Sequence, residues 1–317
     1  MHWLRLHRHD MILAGAAMTT LIAWSSAFIA ISVAVRGFSP GALTLGRSSI
    51  AALILAISVW YRTRRSNRES DHPMRPADHL ALFLSGAIGI TAYQIILSYG
   101  EQFVEAGTAS LLVNTSPLFA TLASSIWLDE RLSARGWLAI ALGFTGATLV
   151  AFGRGDVLLS RQALVILAAA LAQGIYFVIQ KPLLGRFGAL RVTAHAVWWG
   201  ALLALPFAGS LVHSAALAPL SSVLAVLYLG VVPSALAYFT WGYVLSQMST
   251  SRAATLLFLV PPNALVIARV VLGETPSLLA VAGGALTIVG VGLVATSRKQ
   301  TPASSPSSVT PRPSTTA

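Results

Sequence analysis

The chain has 317 residues, 56% of them from the AVILMFWYC set and only 10% charged. Ordinary globular domains run at roughly 45 to 50% and about 25%, so a water-soluble fold of this composition is excluded. The formal charge of +11 would suit a nucleic-acid binder only if the cations shared one face of a soluble domain; here they sit between apolar runs, and no nucleic-acid partner is expected.

Residues 1–11 read as a short cytoplasmic N-terminus. Arg5 and Arg8 precede an apolar run from Met11 to Val35, well beyond the roughly 7 to 15 residues of a signal-peptide core, so this run is expected to be a retained first membrane span. About 20 apolar residues at roughly 1.5 Å rise cross a hydrocarbon core of about 30 Å, and helices satisfy their own backbone polar groups. Ten stretches meet that length: 12–35, 42–61, 79–99, 105–127, 134–152, 162–182, 192–208, 220–245, 252–272 and 277–295. Residues 153–161 form an extracytoplasmic linker in this reading. Residues 297–317, rich in Pro, Ser and Thr, cannot bury a core and are expected to be a disordered cytoplasmic tail.

Ten spans put both termini on one side of the lipid bilayer. With the N-terminus inside, sixteen Lys and Arg face the cytoplasm and three (Arg36, Arg154 and Arg161) face out, with Arg47 and Arg269 uncounted within spans. The positive-inside bias therefore predicts cytoplasmic N- and C-termini in an inner (plasma) membrane.

Laying 99–150 on 243–294, a shift of 144, matches 13 of 52 positions, among them Pro117 with Pro261, Glu130 with Glu274 and Ser133 with Ser277. A shift of 149 lays Ala23 and Phe28 on Ala172 and Phe177. The expected fold is all-α, an integral membrane protein of ten helices arranged as two five-helix repeats, 12–152 and 162–296. Five is odd, so the second repeat enters the membrane from the opposite side. Inverted repeats are the architecture of alternating access, with a solute site near the midplane.

Gly89, Pro117, Pro233 and Pro261 fall at matched places in the two halves and are expected to break spans three, four, eight and nine. A proline removes one helical hydrogen bond and releases a carbonyl to a ligand or water; a static packing kink is the alternative. Trp24 and Gln173 occupy equivalent mid-span positions, with Ser25 and Tyr176 beside them, and an indole at that depth is no interfacial anchor. Tyr93, Gln94, Asn114, Tyr238 and Asn263 add hydrogen-bonding groups at similar depth. Together these nine residues are the candidate solute site, although Ser and Gln also serve as interhelical links. Trp60, Tyr61 and Trp127 sit where an aromatic belt would put them, and Trp241, nearer the inner surface, reads the same way.

Arg47 lies roughly 9 Å past Gly41 at helical rise, deep enough that it must snorkel outward or meet an acceptor in the bundle. A structural role is expected for it, and for Arg269, which could pair with Glu274. Glu130 and Glu274 precede Ser133 and Ser277, which can cap spans five and ten, so turn formation accounts for both carboxylates. Gly143, Ala147, Gly283, Gly284 and Gly290 give those spans small-residue faces for close contact, within the molecule or between two copies in a homodimer. No Asp or Glu falls near the centre of any span, and carboxylate-driven coupling is not supported. His195 reads as interfacial. Cysteine is absent, which removes disulfides and thiolate metal sites. Neither of the two lysines, Lys181 and Lys299, follows Gly in a phosphate-loop pattern, so no ATPase motif, cofactor or metal is expected.

The segments AWSSAF (23–28), PGALTLGRSSIAAL (40–53), SPLFATLASSIWLDERLSARGWLAIALGFTGATLVA (116–151) and 234–294 resemble the EamA-type ten-span members of the drug/metabolite transporter superfamily. Arg269 and the Pro261-Pro262-Asn263 run depart from the usual pattern. The resemblance implies an inner-membrane exporter whose central cavity is lined by spans one, three, four, six, eight and nine, with small metabolites, amino acids or drugs as substrates. A secondary transporter that exports amino acids or related amphipathic compounds is the leading expectation. Drug efflux or uptake by the same fold is the alternative. An intramembrane enzyme is disfavoured because the serine of Gly37-Phe38-Ser39-Pro40 has no evident His or Asp partner. A scaffold or receptor would leave the repeat unexplained.

Overall fold

The computed structural model describes residues 2–65, 73–103, 106–130, 133–152, 161–263, 266–267 and 278–295. Local chemistry starts the second and third helices. Helix α1 (His2–Ala34) ends at a turn that runs into Ser39, whose hydroxyl accepts the Ala42 amide at 3.4 Å, and Pro40 opens α2 (Pro40–Arg65), where its missing N–H costs nothing. Pro76 opens α3 (Pro76–Leu84), and the Asp78 carboxylate accepts the Arg75 amide at 2.8 Å.

The third span then changes pitch. A π-helical stretch, Ser85–Ala92, joins α3 to α4 (Tyr93–Gly100). After α5 (Ala106–Val113) the chain turns at 114–115 before α6 (Ser116–Trp127) and α7 (Ala134–Phe152). In the second half α8 (Arg161–Phe187) meets α9 (Ala189–Leu203) through Gly188, at φ +77°, a conformation that side chains with a Cβ rarely adopt. Next come α10 (Ala208–Leu217), α11 (Leu220–Leu229), a second π-helical stretch (Gly230–Leu236), α12 (Ala237–Gln247) and α13 (Thr250–Thr255). A 3₁₀ stretch (Leu256–Leu259), a helical segment 260–263 and α14 (Leu278–Ala295) complete the described chain.

The helix starts repeat. Pro76 with Leu220 and Tyr93 with Ala237 stand 144 residues apart, while Pro40 and Ala189 stand 149 apart. The two π-helical stretches obey the same 144-residue register to within one residue, so the break is part of the repeated unit.

Five helices among the described residues are long and apolar enough to span a membrane: His9–Ala34, Pro40–Arg65, Pro76–Gly100, Leu164–Phe187 and Leu220–Gln247. A sixth is the pair Ala189–Leu203 and Leu205–Leu217, bent by 48°. Taken as one span, this pair reaches past the expected 192–208. The bend falls at Leu205–Phe207, where Pro206 has no amide to donate and its ring crowds the preceding turn. The other four expected spans correspond to α5 with α6, α7, the region from α13 to 267, and α14, each of which contains or borders residues outside the description. Arg269, Glu274, Ser277 and the tail lie outside it as well.

Large apolar side chains point outward, among them Ile126 at 75% and Leu217 at 72% exposure, as a surface solvated by lipid requires. Helix α7 packs along α14; a Cβ on Gly290 would lie 2.9 Å from the Ala139 carbonyl oxygen and the Gly143 amide. The small-residue faces thus meet each other within one chain.

Candidate functional site

Helices α1, α2, α4, α5, α6, α8 and α12 enclose a cavity with about 500 Å³ of atom-free space, its mouth included. Aromatic side chains build one wall. The Trp24 ring stacks on Phe177 at 6.4 Å and 9°, meets Tyr238 edge-on at 5.7 Å and lies 5.4 Å from Trp241. Its indole N–H donates to the Pro233 carbonyl at 3.2 Å, inside the second π-helical stretch. Trp24 is thus held by packing from the second half of the chain and by a backbone group of that half's helix break.

Polar groups occupy the rest of the lining. Asn114 donates its amide to the Ser110 carbonyl at 2.6 Å, which fixes the side chain at the turn before α6. Gln173 and Ser116 also line the cavity, and the Gln173 amide oxygen and the Ser116 hydroxyl have no hydrogen-bond partner among the described residues. Buried polar groups are rarely left so. The Tyr238 hydroxyl donates to the Gly89 carbonyl at 3.3 Å, tying α12 to the first π-helical stretch.

Of the nine expected site residues, Trp24, Tyr93, Asn114, Gln173 and Tyr238 line this one cavity. The remaining four lie behind it or beside it. The Ser25 hydroxyl donates to the Leu21 and Val260 carbonyls and acts as a link to 260–263. Gln94 accepts the Ser48 hydroxyl at 3.2 Å, while its amide nitrogen has no partner among the described residues. Tyr176 packs against Tyr238, 5.9 Å between ring centroids, and a Cβ on Gly89 would overlap its ring. Asn263 keeps a buried amide nitrogen without a partner among the described residues. Gly89 and Pro233 fall inside the two π-helical stretches, Pro117 at the start of α6 and Pro261 just after the 3₁₀ stretch, so the backbone departs from regular α-helix at or beside all four.

Of three further residues, one was placed differently by sequence, one was left between two alternatives and one was not singled out. Trp241 is 1% exposed and packs on Phe177 at 4.9 Å; it belongs to the interior cluster, not to an interfacial belt. Depth counted along a helix says nothing about which face a ring occupies. Of its two expected alternatives, Arg47 takes the second and meets an acceptor in the bundle. It is 3% exposed, lines the cavity, and its Nε donates to the Ser234 hydroxyl at 2.9 Å. An arginine inside a span is itself a signal of function, and it brings span two into a lining that the family resemblance assigned to six other spans. Glu101, one residue past α4, is 6% exposed, and neither carboxylate oxygen has a hydrogen-bond partner among the described residues. It lies within electrostatic reach of Arg47. Its place at a helix end disguised a buried acid as a loop residue.

The profile of the EamA-like transporter family matches residues 11–152 and 160–296. The chain belongs to the EamA-like transporter family. It is a multi-pass membrane transporter, and the doubled match follows the doubled register of its helices. The chain is 40% identical to the probable terminal-alkyne amino-acid exporter of Streptantibioticus cattleyicolor over 88% of its own length and 92% of the relative's. It is 35% identical to the uncharacterized transporter YdfC of Bacillus subtilis, covering 84% and 86%, and 25% identical to the probable amino-acid metabolite efflux pump of Salmonella typhimurium, covering 87% and 92%. A crystal structure with 19% identity superposes at a TM-score of 0.69 over 89% of this chain and 96% of the other, and so shares the fold.

Proposed function

We propose that this EamA-family chain exports amino acids or closely related amphipathic solutes by alternating access through the described cavity. The observation that carries the reading is the composition of the cavity wall: Trp24, Tyr93 and Tyr238 beside Asn114, Ser116 and Gln173, drawn from both halves of the chain. Rings and amides together suit a small solute with an apolar body and polar ends. The names of the relatives in Streptantibioticus cattleyicolor and Salmonella typhimurium support the same solute class. In this reading residues 12–152 and 162–296 are inverted repeats, and both termini face the cytoplasm of an inner membrane, an orientation supported by the sixteen-to-three distribution of cations.

Flux of labelled amino acids from proteoliposomes without ATP tests the proposal. Wild-type protein should carry at least one of them, and Trp24→Ala and Gln173→Ala should each lower the rate about tenfold, equivalent to about 1.4 kcal/mol. Unchanged rates in both variants remove the cavity from the pathway, and flux of lipophilic cations alone would move the substrate class to drugs.

A further inference from the structure

We propose that Arg47 is the carboxylate-recognition residue of the cavity, its guanidinium receiving the carboxylate of an amino acid or a simple monocarboxylate. The inference rests on the transport reading above and narrows its substrate class. Arg47 is buried in the lining, and the Nε to Ser234 hydroxyl bond at 2.9 Å anchors the base of its guanidinium to the second π-helical stretch. That is the one hydrogen bond its guanidinium makes to a described residue; the two Nη groups are left for another acceptor. A planar fork of N–H donors matches a carboxylate with two parallel bonds, a geometry an ammonium cannot supply.

The neighbouring charge does not occupy the fork. Glu101 and Arg47 influence each other electrostatically, yet no salt bridge joins them and both Glu101 oxygens are without hydrogen-bond partners among the described residues. Glu101 therefore lies near the guanidinium without taking up its donors. A purely structural Arg47 would need only the bond to Ser234, which a neutral amide can also make. The rings of Trp24, Tyr93 and Tyr238 line the same cavity, and aromatic faces attract an ammonium group, so a zwitterion with its carboxylate on Arg47 has rings in the same lining for its amine. A cationic drug would meet like charge at the same place.

The test uses the purified full chain and three probes: leucine, leucine amide and 4-methylpentanoate. Binding is read from ligand-induced thermal shifts and leucine flux is measured in parallel. Wild-type protein should bind 4-methylpentanoate and leucine at least about tenfold more tightly than leucine amide. Arg47→Gln should abolish that preference, and Arg47→Lys, which keeps the charge but not the fork, should retain only part of it. If Arg47→Gln does not fold, Ser234→Ala serves, because it frees the guanidinium from its anchor; it should weaken the two acids severalfold and leave the amide unchanged. Equal wild-type binding of acid and amide, no wild-type binding of acid, or an acid preference that survives in Arg47→Gln, or unaltered in both Arg47→Lys and Ser234→Ala, overturns the proposal. Leucine flux without acid preference would sink Arg47 recognition alone. Arg47-dependent acid binding without flux of any amino acid would sink the export reading alone.

Discussion

Asp78 receives two donors from Arg186, Nη1 to Oδ1 and Nη2 to Oδ2 at 3.0 Å, so the start of the third span is forked to the end of the sixth. This ion pair joins the two halves of the chain on the side expected to face the cytoplasm. Asp78→Asn should loosen that closure. The chain contains no Cys, so single cysteines introduced along the inner half of the cavity can be labelled without background. Labelling from the cytoplasmic side should speed up in Asp78→Asn, and the charge-reversed double variant Asp78→Arg with Arg186→Asp should restore the slow rate. An unchanged rate in Asp78→Asn would show that other contacts hold this end shut.

Trp24 is held by three rings and one backbone carbonyl. Truncating a large aromatic in a packed core costs about 3 to 5 kcal/mol, and Trp24, partly open to the cavity, belongs at the low end. Trp24→Phe keeps most of the packing but loses the N–H to Pro233. Thermal stability should fall markedly in Trp24→Ala and slightly in Trp24→Phe, whereas transport should fall in both. Equal transport by Trp24→Phe and wild type would make the Pro233 bond dispensable.

Gly89 has no room for a methyl group because Tyr176 fills the space, while Gly15 has nothing within 4 Å of a built Cβ. Overpacking a tight site costs about 1 to 3 kcal/mol. Gly89→Ala should therefore lower both the melting temperature and the flux by displacing Tyr176 toward Tyr238, and Gly15→Ala should leave both near wild type. Comparable behaviour of the two variants would contradict the close packing at Gly89.

Glu130 accepts the amides of Thr250 and Ser251 at 3.0 and 3.3 Å, capping α13 from 120 residues away, while the Ser133 hydroxyl accepts the Gly136 amide at 3.3 Å at the start of α7. Loss of a helix cap costs about 0.5 to 2 kcal/mol. Glu130→Ala should lower thermal stability by that amount while leaving the substrate preference intact. A changed preference would mean that Glu130 reaches the transport pathway.

Much of this arrangement was legible in sequence because lipid makes polar residues conspicuous. Trp24, Tyr93, Asn114, Gln173 and Tyr238 stood out as groups that a mid-bilayer helix does not need, and the bundle gathers them around one cavity. The helix breaks were legible because glycine and proline recur at one spacing. Other features depend on the third dimension. The inward face of Trp241, the burial of Glu101 beyond the end of α4, and the turning of Arg47 toward the cavity are fixed by neighbouring helices, and no local pattern encodes them. Glu130 was assigned to the turn before span five, whereas its carboxylate caps a helix in the other half of the chain.

The two π-helical stretches carry a mechanical corollary. A π turn holds more residues than an α turn, so sliding the wide turn along a helix rotates the intervening residues by one α-helical step, about 100°, with about 1.5 Å of advance. Only partners within the same ladder are exchanged, and no peptide group is bared to hydrocarbon. Tyr93 and Ala237 stand immediately beyond these wide turns, with Tyr238 next to Ala237. Their helices can swivel side chains toward or away from a passing solute while remaining helices, a form of motion open to a protein whose surroundings forbid unfolding.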